Sequence, residues 1–230
     1  MKTKKFAAFV CVLAAFASLC LGAAALTPAE LLDAILGGTD TVAGRIFWFS
    51  RLPRTAGCLL AGAALSTAGC VIQNVLCNPL ASPNIIGVNA GAGLAVTVCG
   101  AMGLLSGWAL AGAAFAGAFL AVMAVSFAAK LAGASRTTVI LAGVAVNATL
   151  GAISDTVTNL VPDAGMLSSD FRVGGFGNVT TARLIPAGIL ILLALGMVML
   201  LTSELEVLSL GEDTARSLGL NAPRMRRGFL

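Results

Sequence analysis

Four groups of residues in this 230-residue chain have the types and spacing to do chemistry. Arg51-Leu-Pro-Arg54 sets two permanent cations three positions apart, each a planar fork of donors. Asn78-Pro79-Leu80-Ala81-Ser82-Pro83-Asn84 carries two prolines that remove backbone donors and disfavour helix at the residues before them, which enforces a rigid corner. Asp155 stands in an apolar stretch with Asn147 and Asn159, and an acid there is costly enough to need a cavity or a partner. Ser209 to Gly219 (SLGEDTARSLG) has an N-cap at Ser209, acids in a first turn, Arg216 near the end and a terminal glycine, the signals of a short polar helix. There is no histidine, and no nucleophile–base pair or metal-ligand spacing is visible, so no catalytic residue and no metal site is assigned. The six cysteines lie in or beside apolar stretches without CxxC spacing and read as inert buried thiols.

The elements that must position these groups are membrane helices. The chain is 58% hydrophobic and 10% charged, against roughly 25% charged in a soluble domain, which excludes the water-soluble class. Thr55 to Ala129 contains no Asp, Glu, Lys or Arg, and at about 20 residues per crossing it holds three spans. Abundant Gly and Ala suit close helix packing in lipid, and this is also the reading of Gly87, Gly91 and Gly93, which no Walker lysine follows. The expected fold is therefore all-α, a polytopic membrane bundle in one domain over residues 1–230. Six spans are predicted: Phe6–Leu26, Thr55–Cys77, Ile85–Leu105, Trp108–Ala129, Thr137–Val161 and Leu184–Ser203.

The basic N-terminus and first span resemble a signal peptide, but Phe6–Leu26 is longer than the usual apolar core and reads as an uncleaved crossing. Thr27-Pro28-Ala29-Glu30 then signals an interfacial helix. A cytoplasmic N-terminus places most basic residues inside and leaves Arg45, Arg51, Arg54, Arg172 and Arg183 outside. The net charge of +4 thus follows topology, with no basic face for nucleic acid. Parity puts 204–222 in the cytoplasm as a loop, and Arg224-Met-Arg-Arg227 resembles the flank of a further span beyond the last residue.

RLPR, the small-residue span, NPLASP, GVNAGAG, Leu141-Ala-Gly-Val-Ala145 and LSLGEDTARSLG together resemble the FecCD family of ABC-importer permeases, over essentially the whole chain. The resemblance implies the first six spans and coupling loop of a ten-span subunit in the bacterial cytoplasmic membrane, truncated at its C-terminus. It implies inward transport of iron–siderophore, haem or cobalamin-type chelates, with a homodimer partner, an ATPase subunit and an extracytoplasmic binding protein. ATP would be bound and hydrolysed by the ATPase partner, so no cofactor and no enzymatic activity is expected of this chain.

The family likeness also implies site roles. Leu210, Gly211, Glu212, Ala215, Arg216, Leu218 and Gly219 would dock the ATPase. Arg51 and Arg54 would receive acids of the binding protein, although arginines snorkelling to headgroups fit the same positions. Asn78, Leu80, Arg136, Thr137 and Leu141 would form an inner constriction, although a plain connecting loop fits the corner. Asp155 would face the pathway or sit as an interfacial acid at a helix end, and an ion-coupled secondary transporter using Asp155 is the competing function. Asp170-Phe-Arg-Val-Gly-Gly-Phe-Gly177 looks closer to cobalamin permeases than to iron–siderophore ones, but leaves the cargo open.

Overall fold

The computed structural model describes residues 2–22, 27–133, 135–177 and 179–210, together with 217. The described residues are helical and contain no strand. The chain divides into two compact units, one of residues 1–64 with 176–197, the other of residues 65–175 with 198–230.

The first unit begins with α1 (Lys2–Cys20) and α2 (Pro28–Leu36). The α2 start is a complete capping box: the Glu30 N–H donates to Thr27 Oγ1, and the Glu30 carboxylate accepts from the Thr27 N–H at 2.8 Å. Those bonds hold the Glu30 carboxyl below its ordinary pKa, the Thr27 N–H contributing most and the Thr27 hydroxyl next. Leu31 and Ala34 bury themselves against Phe47, and Trp48 Nε1 donates to the Ala34 carbonyl at 3.1 Å. Helix α3 (Val42–Ile46) runs into a π-helical turn over Phe47–Arg51 and then into α4 (Leu52–Leu76).

That wide turn has a local cause. Pro53 lacks a donor and crowds the carbonyl four residues before it, which belongs to Phe49 inside the turn. The Leu52 N–H bonds back to the Phe47 carbonyl, five residues away, which opens the backbone where the crowding falls. The apolar helical run therefore extends over Val42–Leu76, well beyond the Thr55 start expected from the sequence. Most of α9 (Thr181–Leu200) completes this unit, with Gly188 against Leu60 of α4.

The second unit contains the C-terminal part of α4, then α5 (Val88–Ala101), α6 (Gly107–Leu131), α7 (Arg136–Leu160), α8 (Pro162–Val173) and α10 (Thr202–Ser209). Helix α5 packs against α6, α7 and α8. Backbone meets backbone where it crosses α6: a methyl added at Gly91 would fall 2.3 Å from the Gly117 carbonyl oxygen. A second apolar cluster joins Val71, Val75 and Leu76 of α4 to Ala81 and Ile86, Val125 of α6, Val139 of α7, and Leu205 and Leu208 of α10.

Among the described residues, four helical stretches are long and apolar enough to cross a membrane: Val42–Leu76, Gly107–Leu131, Thr137–Leu160 and Thr181–Leu200. The other two expected crossings are shorter. The first helix is Lys2–Cys20, its apolar part starting at Lys5, and the third is α5, with only 14 residues in place of Ile85–Leu105. Ile85 and Ile86 are apolar but belong to the corner, and Gly87 enters α5 with φ of 85°. Helix α8 was not foreseen at all. The last expected span stops at Leu200, and Thr202 to Ser209 form a separate helix.

Candidate functional site

The corner after α4 begins at Cys77, which takes a left-handed φ of 44° and so ends the helix. The Leu80 N–H donates to Asn78 Oδ1 at 2.9 Å and the Ala81 N–H to the Asn78 carbonyl at 3.1 Å, an Asx-type turn next to two prolines. Ala81 and Ile86 are buried in the second cluster, as is Leu76 at the end of α4, whereas Leu80, just before Ala81, is 82% exposed. The loop is thus pinned at both sides with its apolar tip outward. The Cys77 thiol lies 3.5 Å from the Leu208 carbonyl and 3.4 Å from that of Ser209, which ties the start of the corner to α10.

The far side of the corner is held by α7. Asn147 Nδ2 donates to the Asn84 carbonyl, and Asn89 Nδ2 donates to the Asn84 side-chain oxygen. One turn earlier on α7, Gly143 lies directly on the Ile85 backbone: an added Cβ would be 2.0 Å from the Ile85 carbonyl oxygen. Of the residues assigned to an inner constriction, Asn78 and Leu80 lie on this corner, and Thr137 and Leu141 are exposed on the first turns of α7. Arg136 opens α7, and its side chain lies outside the described part. Neither Asn147 nor Gly143 was assigned to the corner from the sequence.

Asp155 is not a lone intramembrane acid. Its carboxylate accepts from Arg172 of α8 at 2.9 Å, both side chains being more than half exposed. Arg172 also lies 3.3 Å from the Ser154 hydroxyl, which meets Thr97 Oγ1 of α5 at 3.0 Å. Thr97 in turn contacts Ser168 of α8 at 3.0 Å and donates to the Gly93 carbonyl at 2.8 Å. Thr97, Ser154 and Ser168 are all buried, so three helices share one enclosed hydroxyl cluster that leads out to a surface ion pair. The signal for it in the sequence was faint, because serines and threonines on membrane helices more often bond to their own helix backbone.

The two arginines of RLPR have different fates. Arg51 is only 7% exposed and donates to the Leu21 carbonyl just after α1, whereas Arg54 is exposed. Of the two arginines expected to meet the binding protein, Arg51 lies inward at the end of the π-helical turn. Nearby in the chain, Thr55 is buried with its hydroxyl 2.9 Å from Ser18 of α1. Arg183 is a further exposed cation, lining a cavity of about 520 Å3 with Phe49, Gly177, Val179 and Thr180.

Of the segment expected to dock an ATPase, Leu210 is exposed just past α10, and Gly211, Glu212, Ala215, Arg216, Leu218 and Gly219 lie outside the described residues. The N–H groups that an N-cap at Ser209 would hold lie outside the described residues. Ser209 is the last residue of α10, and its hydroxyl donates to the Glu206 carbonyl at 2.6 Å. A cleft of about 380 Å3, lined by Ser66, Cys70 and Asn74 on α4 and by Thr202, Glu206 and Ser209, lies beside this helix and was not anticipated. No cluster of three metal-ligating side chains occurs among the described residues.

The chain is 36% identical over 218 residues to the ferric enterobactin transport system permease protein FepD of Escherichia coli K12, covering 93% of this chain and 65% of that protein. It is 36% identical over 208 residues to the vitamin B12 import system permease protein BtuC of Klebsiella pneumoniae, covering 88% of this chain and 60% of that one. The chain thus spans less than two-thirds of the length of these relatives. A metal-chelate type ABC transporter solved in an inward-facing conformation shares the fold, with a TM-score of 0.84 at 23% identity over 100% of this chain and 71% of that one. Residues 10–230 match the profile of the FecCD transport family, and the chain belongs to that family.

Proposed function

We propose that this chain is permease sequence of a binding-protein-dependent ABC importer, moving a metal chelate or corrinoid inward across the bacterial cytoplasmic membrane with its N-terminus in the cytoplasm. The observation that carries the reading is the family match over residues 10–230, to relatives named as ferric enterobactin and vitamin B12 permeases. The corner supports it from physics: a rigid, doubly anchored loop with an exposed Leu80 is the kind of element that narrows a path without filling it. In this reading Asn78, Leu80, Arg136, Thr137 and Leu141 form the inner constriction. Arg54 receives a carboxylate of the binding protein, while Arg51 holds the end of α1 in place behind it.

Residues 210–219 dock the ATPase, and α10 carries that segment. ATP is hydrolysed by the partner, and a second copy of the permease completes the path. Transport then alternates between two global states biased by nucleotide and by the loaded binding protein. The ion-coupled alternative needs an Asp155 carboxylate free to take up a cation, whereas that carboxylate already accepts from Arg172. The test is uptake into proteoliposomes holding the full-length subunit, its ATPase and its binding protein, offered ferric enterobactin or vitamin B12. Uptake that requires ATP is expected; uptake driven by an ion gradient without ATP would overturn the reading.

A further inference from the structure

The corner at 78–87 and helix α7 touch through two features that do different physical work. Gly143 lets the two backbones approach until no side chain separates them, since any Cβ there would overlap the Ile85 carbonyl. Asn147, four residues on and therefore on the same face of α7, donates to the Asn84 carbonyl. That carbonyl also accepts from the Gly87 N–H at 3.2 Å, so both of its lone pairs are used. Asn89 on α5 then fixes the Asn84 side chain. Asn84 is left with no freedom to swing, and Pro83 before it has φ set by its ring.

We infer that Gly143 and Asn147 clamp the corner to α7, making Asn147 a positioning residue for Leu80, so that the corner follows α7 as one body. Asn78 to Pro83 does not move as an independent flap. The other side of the corner is anchored by Ala81 and Ile86 in the apolar cluster, and the Cys77 thiol faces the α10 carbonyls. A shift of α7 therefore carries Leu80 with it and is resisted at α10. The consequence for transport rests on the constriction proposed above; the clamp itself rests only on the contacts.

The experiment is hydrogen–deuterium exchange on the full-length protein in nanodiscs, comparing wild type with Asn147→Leu, which keeps the size but not the donor, and with Gly143→Ala, which forces the backbones apart. Peptides covering 78–87 report the clamp, and peptides from the middle of α6 report general packing. Both variants are expected to exchange faster at 78–87 with α6 unchanged. Unchanged exchange at 78–87 in both variants would overturn the inference. Acceleration at 78–87 and α6 alike would also overturn it, since Asn147 would then be a packing residue. If the corner loosens as expected but ATP-driven uptake and its tightness to leak are unaltered, the clamp stands and the constriction assignment falls.

Discussion

Arg172 of α8 reaches back across the Val161–Pro162 break to Asp155 of α7 at 2.9 Å, and the same guanidinium touches Ser154, the outermost member of a buried hydroxyl cluster. The ion pair is solvent-facing, so its own contribution is small, about 0–1 kcal/mol. Its structural effect is to tie α8 to Ser154 and Asp155 of α7. Arg172→Ala is therefore expected to leave the unfolding temperature in detergent nearly unchanged while raising hydrogen exchange of α8. Strong loss of thermal stability, or no change in α8 exchange, would contradict this.

Thr97 is the more demanding member. Thr97→Val keeps the volume but removes the hydroxyl that meets Ser154, Ser168 and the Gly93 carbonyl, stranding buried polar groups at about 1–3 kcal/mol. A lower melting temperature is expected for Thr97→Val than for Arg172→Ala. Equal effects would show that burial of the hydroxyls does not matter.

Gly117 faces Gly91 across the α5–α6 crossing, and a methyl there would lie 2.4 Å from the Gly91 carbonyl oxygen. Backbone cannot yield as a flexible side chain does. Gly117→Ala should destabilise by about 1–3 kcal/mol, as overpacking does, whereas Gly112→Ala on the same helix, with open space at its Cβ, should not. Comparing the two melting temperatures tests this.

The exposure difference between Arg54 and Arg51 predicts a separation of phenotypes. Arg54→Glu should weaken binding of the cognate binding protein with the permease still well folded. Arg51→Glu should reduce the folded yield, because it replaces the donor to the Leu21 carbonyl by an acceptor. Binding measured by surface plasmon resonance, beside size-exclusion profiles, distinguishes the two. Unimpaired binding in Arg54→Glu would remove it from the docking surface.

Glu30 gives α2 a pH dependence of known sign. Its carboxyl titrates below the ordinary value of 4.5, held down by the Thr27 N–H and then by the Thr27 hydroxyl. A depressed folded pKa means the cap stabilises α2 fully above the unfolded value and loses that effect as pH falls through the folded one. The Thr27 amide resonance should titrate with a midpoint below 4.5, and Glu30→Gln should abolish the titration. A midpoint at or above 4.5 would contradict the capping bond.

Much of this was readable in the chain. The membrane class followed from the charge-free run between Thr55 and Ala129, and α7 was placed within a residue because apolar residues fill it. The capping box at Thr27 was legible because its partners are three residues apart. Other features depended on distance in sequence or on backbone geometry. Hydropathy continues through Ile85, Ile86 and Met102–Leu105, so it could not show that α5 ends at Ala101. Helix α8 is too polar to stand out. Asn147 and Asn84 are 63 residues apart, and nothing local couples them. Arg51 and Arg54 look equivalent on paper because Pro53 between them marks a disturbed helix without showing that it takes the form of a π-helical turn ending at the first of them.

The brevity of α5 has a consequence for the membrane itself. Fourteen residues at about 1.5 Å each rise about 21 Å, while the hydrocarbon layer is about 30 Å thick. In the proposed reading of α5 as a crossing, the remaining depth falls to turns, whose peptide groups must be met by protein or water. Within the corner the Asn78, Ser82 and Asn84 carbonyls accept from the Ala81, Ile85 and Gly87 N–H groups, Asn147 adds a second donor at Asn84, and the prolines bring no N–H of their own. In that reading the corner end of the crossing is backbone paired within the protein, and the regular helix spans less depth than the bilayer around it.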